Sequence, residues 1–255
     1  MRVTRSLLTL GASALVALST TGAAWSSDLA NLSDTDRKAF QAEVRAYLLD
    51  NPEVLMEAIA VLETRNAQQV EATDRDLISA NAVALFESPS DLILGNPDGD
   101  ITMVEFLDYR CGYCKKAHPD VNALLENDGN IKLIVKEFPI LGEASVLASR
   151  FAIATHLVAG NAAYAEVHEA LMTAGNNVSE ASLKRLVRKM DFDVDAVMAK
   201  MNSDEVTQII AQNHALGQAM QINGTPAFVM QSELIRGYVP YDSMVEIVAD
   251  LRAKG

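Results

Sequence analysis

From residue 33 onward, apolar positions recur first at helical spacing, then at strand spacing, then at helical spacing again. Phe40, Val44, Tyr47 and Leu48 share one helical face behind Ser33-x-x-Asp36, which has the form of a capping box. Asn51-Pro52 punctuates that helix and predicts the start of a second one. In the second helix Leu55, Ile59 and Leu62 follow the spacing of a coiled-coil seam, and the same spacing then meets Asn66, Gln69 and Thr73. The stripe therefore turns polar after about two heptads, fewer than the three to four that define a coiled coil. Two readings stay open: a short self-association stalk, or two helices folded onto the rest of the chain. Residues 70–76 carry four charges and read as a solvated spacer, residues 77–86 turn apolar again and are expected to dock, and Ser88-Pro89-Ser90 marks a boundary.

Strand periodicity takes over near Asp91. Residues 92–94 and 101–107 read as strands around Asn96-Pro97-Asp98-Gly99, a type I turn sequence, and the pair predicts a hairpin. A helix opens at Cys111, with a kink expected at Pro119. Residues 131–138 form a β-rich run. Helical segments follow at 144–159, 162–172, 182–189, 194–201 and 205–220, separated by Gly160-Asn161, Gly175-Asn176-Asn177 and Asn202-Ser203-Asp204. Strands return at 226–230 and 234–236, and a last helix spans 241–253. The pattern is an α/β unit interrupted by a helical block.

The N-terminus changes the setting. Arg2 and Arg5, an apolar run over residues 7–18 and the small residues around Ala23-Ala24 read as an export signal over residues 1–24, too short for a membrane span. The bacterial periplasm is the implied destination. The formal charge of −13 lacks the basic footprint that nucleic-acid binding needs.

Cys111 and Cys114 are the only 2 cysteines. Three residues apart, they would close almost no loop as a structural staple. No second Cys pair completes a zinc site. Redox chemistry is the economical reading. Cys111, at a helix N-terminus, is the expected nucleophile, because unpaired backbone N–H groups there favour an anion. Cys114, one turn further in, is the expected resolving thiol. His118 either tunes the site or is a helix-surface residue, and His156, His168 and His214 in the helical block read as ordinary helix residues. Arg110, Lys115 and Lys116 either support a thiolate or are simply solvated. A reading of another class, Cu(I) held by two soft thiolates, meets only scattered methionines.

Three segments carry a resemblance. Glu105-Phe106-x-Asp108-Tyr109-x-Cys111-x-x-Cys114, Phe138-Pro139-Ile140-Leu141-Gly142 and Thr225-Pro226-Ala227 together resemble the DsbA family of thiol–disulfide oxidoreductases over residues 91–255. Within it the chain is similar to ScsC-like and Com1-like proteins, some of which carry an N-terminal oligomerisation extension. The resemblance implies a thioredoxin fold with a helical insertion at about residues 143–221, preceded by a helical oligomerisation or linker region over residues 28–87. It implies a redox-active Cys111–Cys114 disulfide, with no other cofactor and no metal. It makes Glu105 the buried acid that takes the Cys114 proton, although a solvated strand residue is the alternative, and Lys136 either tunes that acid or is solvated. It makes Thr225-Pro226 a cis-proline loop that presents backbone to a substrate strand, beside Gly112 and Tyr113. Gly112-Tyr113 and Thr225 are similar to the isomerase DsbC, so isomerase or reductase is expected over DsbA-like oxidase. Exported cysteine-containing proteins are the implied clients, a DsbD/ScsB-like or DsbB-like protein the implied membrane redox partner, and a homo-oligomer, trimer or dimer, the implied assembly.

Overall fold

The Ser33 hydroxyl accepts from the Asp36 amide (3.2 Å) and donates to the Asp36 carboxylate (2.6 Å), and helix α1, Asp34–Asp50, starts there. The computed structural model describes residues 33–175, 177–188 and 190–254; the export signal read at 1–24, Asn176 and Lys189 lie outside them. The chain divides into two units, residues 1–61 and 62–255. In the first, α1 and the opening of α2, Glu53–Ala80, expose their apolar faces: Phe40, Val44, Leu55 and Ile59 are each at least two-fifths open to solvent. Phe40, Val44, Leu48, Leu49 and Leu55 line an apolar groove of about 440 Å³.

The second unit takes up the end of α2. Ile78 and Leu85, the latter on the short helix α3 (Ala82–Phe86), are buried with Val104, Phe106, Ile134 and Phe138. The apolar stretch 77–86 thus docks as its pattern predicts. Strands β1 (Leu92–Gly95) and β2 (Ile101–Leu107) follow, then helix α4 (Gly112–Asp128), unbroken through Pro119, and β3 (Ile131–Glu137). Helix α5 (Glu143–Thr173) is two helices joined across a non-helical Gly160, and α6 (Glu180–Leu186), α7 (Val194–Lys200) and α8 (Asp204–Ala219) complete the insertion. Strands β4 (Ala227–Met230) and β5 (Glu233–Arg236) and helix α9 (Tyr241–Lys254) close the chain.

The sheet order is β1-β3-β2-β4-β5. The hairpin expected between β1 and β2 does not form. β3 lies between them, antiparallel to β1 and parallel to β2. The turn is real, with the Gly99 amide donating to Asn96 O (3.0 Å), but it straddles the start of β3: the Asn96 amide donates to Ile131 O (2.9 Å). A Cβ at Gly99 would meet Asn130 O and Lys132 N at 2.6 Å, so only glycine lets the turn pass this close. A sequence of two strands and a turn does not reveal a third strand inserted by a parallel crossover through α4.

Two cores flank the sheet. Met103, Leu133, Val135 and Phe228 face α4, α5 and α9, while Val104, Phe106, Ile134 and Val229 face α3 and α8. On the second face a Cβ at Gly217 of α8 would meet the Phe138 ring at 2.6 Å, and that ring is held edge-on by Phe106 and tilted against His214. Gly217→Ala is therefore expected to overpack this core and cost about 1–3 kcal/mol. Urea unfolding at unchanged m-value checks it; a midpoint equal to the wild type would show that the ring yields freely.

Candidate active site

β2 delivers the chain to the mouth of α4. Asp108, fully buried, stops the strand and organises the loop: its carboxylate accepts from the amides of Arg110 (2.8 Å), Ile140 (2.8 Å) and Leu141 (3.0 Å). Its own carbonyl accepts from the Cys111 amide (3.0 Å). Cys111 becomes the N-cap residue of α4, 8% exposed, while Cys114 one turn later is fully buried. The two thiols are unbridged.

Across from Cys111 lies the loop before β4. The Thr225–Pro226 bond is cis, and the Cys111 thiol donates to Thr225 O (3.1 Å). That carbonyl is a partner for the thiol only. The thiolate has more donors: the Cys114 thiol first, then the Thr225 hydroxyl and the amides of Cys114 and Tyr113, and against the cost of burial they hold Cys111 down at about 5. Burial pushes the Cys114 thiol far up, aided by its bond to Cys111 and by the charge of Glu105. The arrangement separates one exposed-edge thiolate from one buried thiol. Gly112 and Tyr113 form the outer lip, Tyr113 64% exposed.

Glu105 is buried on the α4 side of the sheet, opposite Val135 and Phe228 in register. Burial, then Glu137, then Cys111 push it up to about 8, and its Oε1 has no hydrogen-bond partner. A carboxyl so poised is protonated near neutrality and can exchange that proton with a neighbouring thiol. Lys136 does neither thing expected of it. Strand alternation sets it opposite Phe106, on the other face, where it pairs with Asp91 and donates to Ala84 O (2.8 Å). The group that tunes Glu105 is Glu137, one residue on and therefore on the right face.

Sequence reasoning missed what Glu137 organises. Its carboxylate accepts from Tyr109 (2.6 Å), Ser149 (2.7 Å) and Tyr164 (3.2 Å), and burial pushes it to about 8 against these three donors. The Tyr109 hydroxyl also meets His168 Nδ1 (3.1 Å). His168 is buried, and burial depresses it to about 3, so it is neutral. His118 is buried too, stacks edge-on against it and meets Glu169 (2.6 Å), so it is not the helix-surface residue expected. The charged pair Lys136-Glu137 ending an apolar strand was the available signal. The flanking cations also have other partners: Arg110 donates to Leu141 O (2.9 Å), Lys115 to the last carbonyls of α5, and Lys116 lies over the Tyr238 ring (4.1 Å). Among the described residues no group of three or more His, Cys, Asp or Glu side chains could hold a metal, and no helix is long and apolar enough to cross a membrane.

A five-stranded α/β sheet, a Cys-x-x-Cys opening the helix after its central strand, and a cis-proline loop against the first sulfur define a thiol–disulfide oxidoreductase of thioredoxin fold. Residues 102–249 match the model of the DSBA-like thioredoxin domain, and residues 36–69 match the copper resistance protein ScsC N-terminal domain. The chain belongs to the DSBA-like thioredoxin domain family. A thioredoxin-like oxidoreductase of Silicibacter pomeroyi DSS-3 is 38% identical over 67% of this chain and 97% of its own, with a TM-score of 0.63. Proteus mirabilis ScsC in a transitional conformation is 28% identical over 88% of this chain and 100% of its own, with a TM-score of 0.65. The thiol-disulfide exchange protein alpha-DsbA2 of Wolbachia pipientis is 27% identical over 72% and 98%, with a TM-score of 0.67. Among curated relatives, the chain spans only 23% of the Na(+)/H(+) antiporter NhaA 3 of Salinispora tropica, at 26% identity over 152 residues.

Proposed function

We propose that the chain is a periplasmic disulfide isomerase or reductase acting on exported cysteine-containing proteins, assembled as a homo-oligomer through residues of its N-terminal helices. The observation that carries the chemistry is the donor set around Cys111, which favours its thiolate near neutrality. That thiolate attacks one sulfur of a client disulfide. A Cys111–client bond forms, the client S–S bond breaks, and the other client sulfur leaves as a thiolate. In isomerisation a client thiolate then attacks the client sulfur of the mixed disulfide, a new client S–S bond forms, the Cys111–client bond breaks, and Cys111 leaves as the thiolate it began as. In reduction Cys114 gives its proton to the ionised fraction of Glu105 and attacks Cys111; the Cys111–Cys114 bond forms, the Cys111–client bond breaks, and the client sulfur leaves as a thiolate that takes its proton from solvent. The resulting Cys111–Cys114 disulfide is returned to two thiols by the dithiol of a DsbD/ScsB-like membrane partner.

Direction is supported by the exposed Gly112-Tyr113 lip, by Thr225 before the cis-proline, and by the apolar groove of the first unit, which gives several sites a means of converging on one client. A DsbA-like oxidase recharged by a DsbB-like partner is the second reading. It is favoured by the same donor set, because stabilising the thiolate makes the disulfide a better oxidant.

The test uses the full chain. Leu55→Asp with Ile59→Asp places charge on an already exposed apolar face. The variant is expected to sediment as a monomer and to lose reactivation of scrambled ribonuclease, while still reducing a small disulfide. A wild-type chain that oxidises reduced ribonuclease but does not reactivate the scrambled form would replace the isomerase reading with the oxidase one.

A further inference from the structure

The cis-proline loop has two sides. One faces Cys111. The other lines a groove of about 530 Å³ whose opposite wall is the polar continuation of α2, at Gln69, Val70, Thr73 and Asp74. That size lies within the usual span of ligand sites, about 300–1,000 Å³. Nothing in the exchange chemistry above uses this space.

Its wall is fixed rather than loosely laid. Asp74 is 7% exposed and holds Arg236 of β5 through two bonds of 2.8 Å, from Nη1 and Nη2 to the two carboxylate oxygens. One turn further on, Ile78 is buried in the core beside β4. A bidentate pair of this kind orients two elements as well as joining them. Among the described residues of the lining, the one acid and the one base therefore cancel each other. What remains is apolar surface from Val70, 55% exposed, with Ile222 and Pro226, interleaved with the amides and hydroxyl of Gln69, Thr73, Gln221 and Asn223.

We infer that this groove holds an extended stretch of the client polypeptide next to its reacting cysteine, with helix α2 as the second wall of the client site. The inference rests on the disulfide-exchange reading. Three observations select a polypeptide as the occupant. Thr225 belongs to both sides: it lines the groove, and its carbonyl lies 3.1 Å from Cys111 Sγ, so chain leaving a cysteine bonded to Cys111 passes directly into the groove. The lining carries no uncompensated cation, which a phosphate or carboxylate ligand would require. The Gln69 and Gln221 side-chain amides can both donate and accept, and the Thr73 hydroxyl, whose proton goes to Gln69 O (2.8 Å), can still accept, which suits main-chain N–H and C=O groups whatever the client sequence. The polar run Asn66, Gln69, Thr73, which ends the coiled-coil spacing, thereby has a physical reason, since part of it faces client backbone instead of another helix.

Val70→Trp fills the groove from a position already exposed to solvent, and Thr73→Arg adds bulk and an unpaired charge one turn along. Each full-length variant is compared with wild type on two substrates, a ten-residue peptide in mixed disulfide with glutathione and glutathione disulfide itself, after confirming an unchanged thermal midpoint. The expected result is a fall of roughly fivefold or more in the ratio of kcat/KM for the peptide to that for glutathione disulfide, the scale of a contact that contributes to binding. An unchanged ratio in both variants overturns the inference, as does equal slowing on both substrates, which would place the effect at the sulfurs. A wild-type chain inert toward both substrates would remove the disulfide-exchange reading itself, and the groove assignment with it.

Discussion

Cys114→Ser is expected to accumulate on its clients as a covalent adduct that dithiothreitol releases, whereas Cys111→Ser forms none and exchanges no disulfides. The asymmetry follows from depth. Cys111 caps α4 at the edge of the domain, with the Cys114 thiol, the Thr225 hydroxyl and two amides ready to share its charge. Cys114 is fully enclosed and held far above the ordinary thiol range. Only the first can meet a client disulfide; only the second can meet the mixed disulfide from inside the protein. Removing the inner sulfur therefore leaves the attack and deletes the escape. Serine at 114 still has a hydroxyl to donate to Cys111, so the attack step is slowed far less than the release step. Non-reducing gels of cells producing each variant, run side by side, read the result. Equal trapping by the two variants, or trapping by Cys111→Ser alone, would reverse the assignment of roles.

The parts of this site that were legible in the sequence are those set by local spacing. Cys-x-x-Cys at a helix start fixes one sulfur outside and one inside, because three residues span nearly one turn. Thr225-Pro226 came from a motif resemblance rather than from spacing, since the apolar pattern alone carries the strand back to Pro226. What was not legible depends on register across the sheet. Glu105 and Lys136 lie on adjacent strands, and nothing in either segment says which residue faces which. The parallel pairing sets Glu105 opposite Val135, so a shift of one position removes Lys136 to the far face and brings Glu137 to the near one. The same blindness produced the hairpin expected between β1 and β2, since a strand inserted later in the chain leaves no mark on the turn it passes under. The Tyr109–Glu137–Tyr164 cluster draws on β3, α5 and the active-site loop, 27 to 28 residues apart in sequence, and no periodicity within one element could reveal it.

Alkylation of reduced protein by iodoacetamide is expected to follow a single titration of Cys111 with a midpoint at about 5, flat from near-neutral pH upward. A free cysteine gains reactivity about tenfold per pH unit up to its own value near 8.5. The midpoint is the decisive reading, not the plateau rate, because a thiolate of low proton affinity is intrinsically the weaker nucleophile. What the low value chiefly improves is Cys111 as a leaving group. Stability carries the same signature. The native donors hold the thiolate below its unfolded value, so their contribution to the reduced form is complete above that value and is lost as pH falls through about 5. Glu105 and Glu137 act in the opposite sense, stabilising the protonated state, with a contribution complete at acid pH and lost as pH rises through about 8. Both carboxyls are present whether the cysteines are bridged or free, so their burial cancels in the difference, and only the smallest cause of the Glu105 shift, the Cys111 charge, is special to the reduced form. Thermal midpoints of the reduced protein relative to the oxidised protein should therefore rise from pH 5 to about 8.5, above which the Cys114 thiol, held protonated in the native protein but ionised in the unfolded chain, turns the difference down. A difference that stays constant across that window would mean that the first sulfur is not held as an anion, and the exchange reaction would lack its driving group.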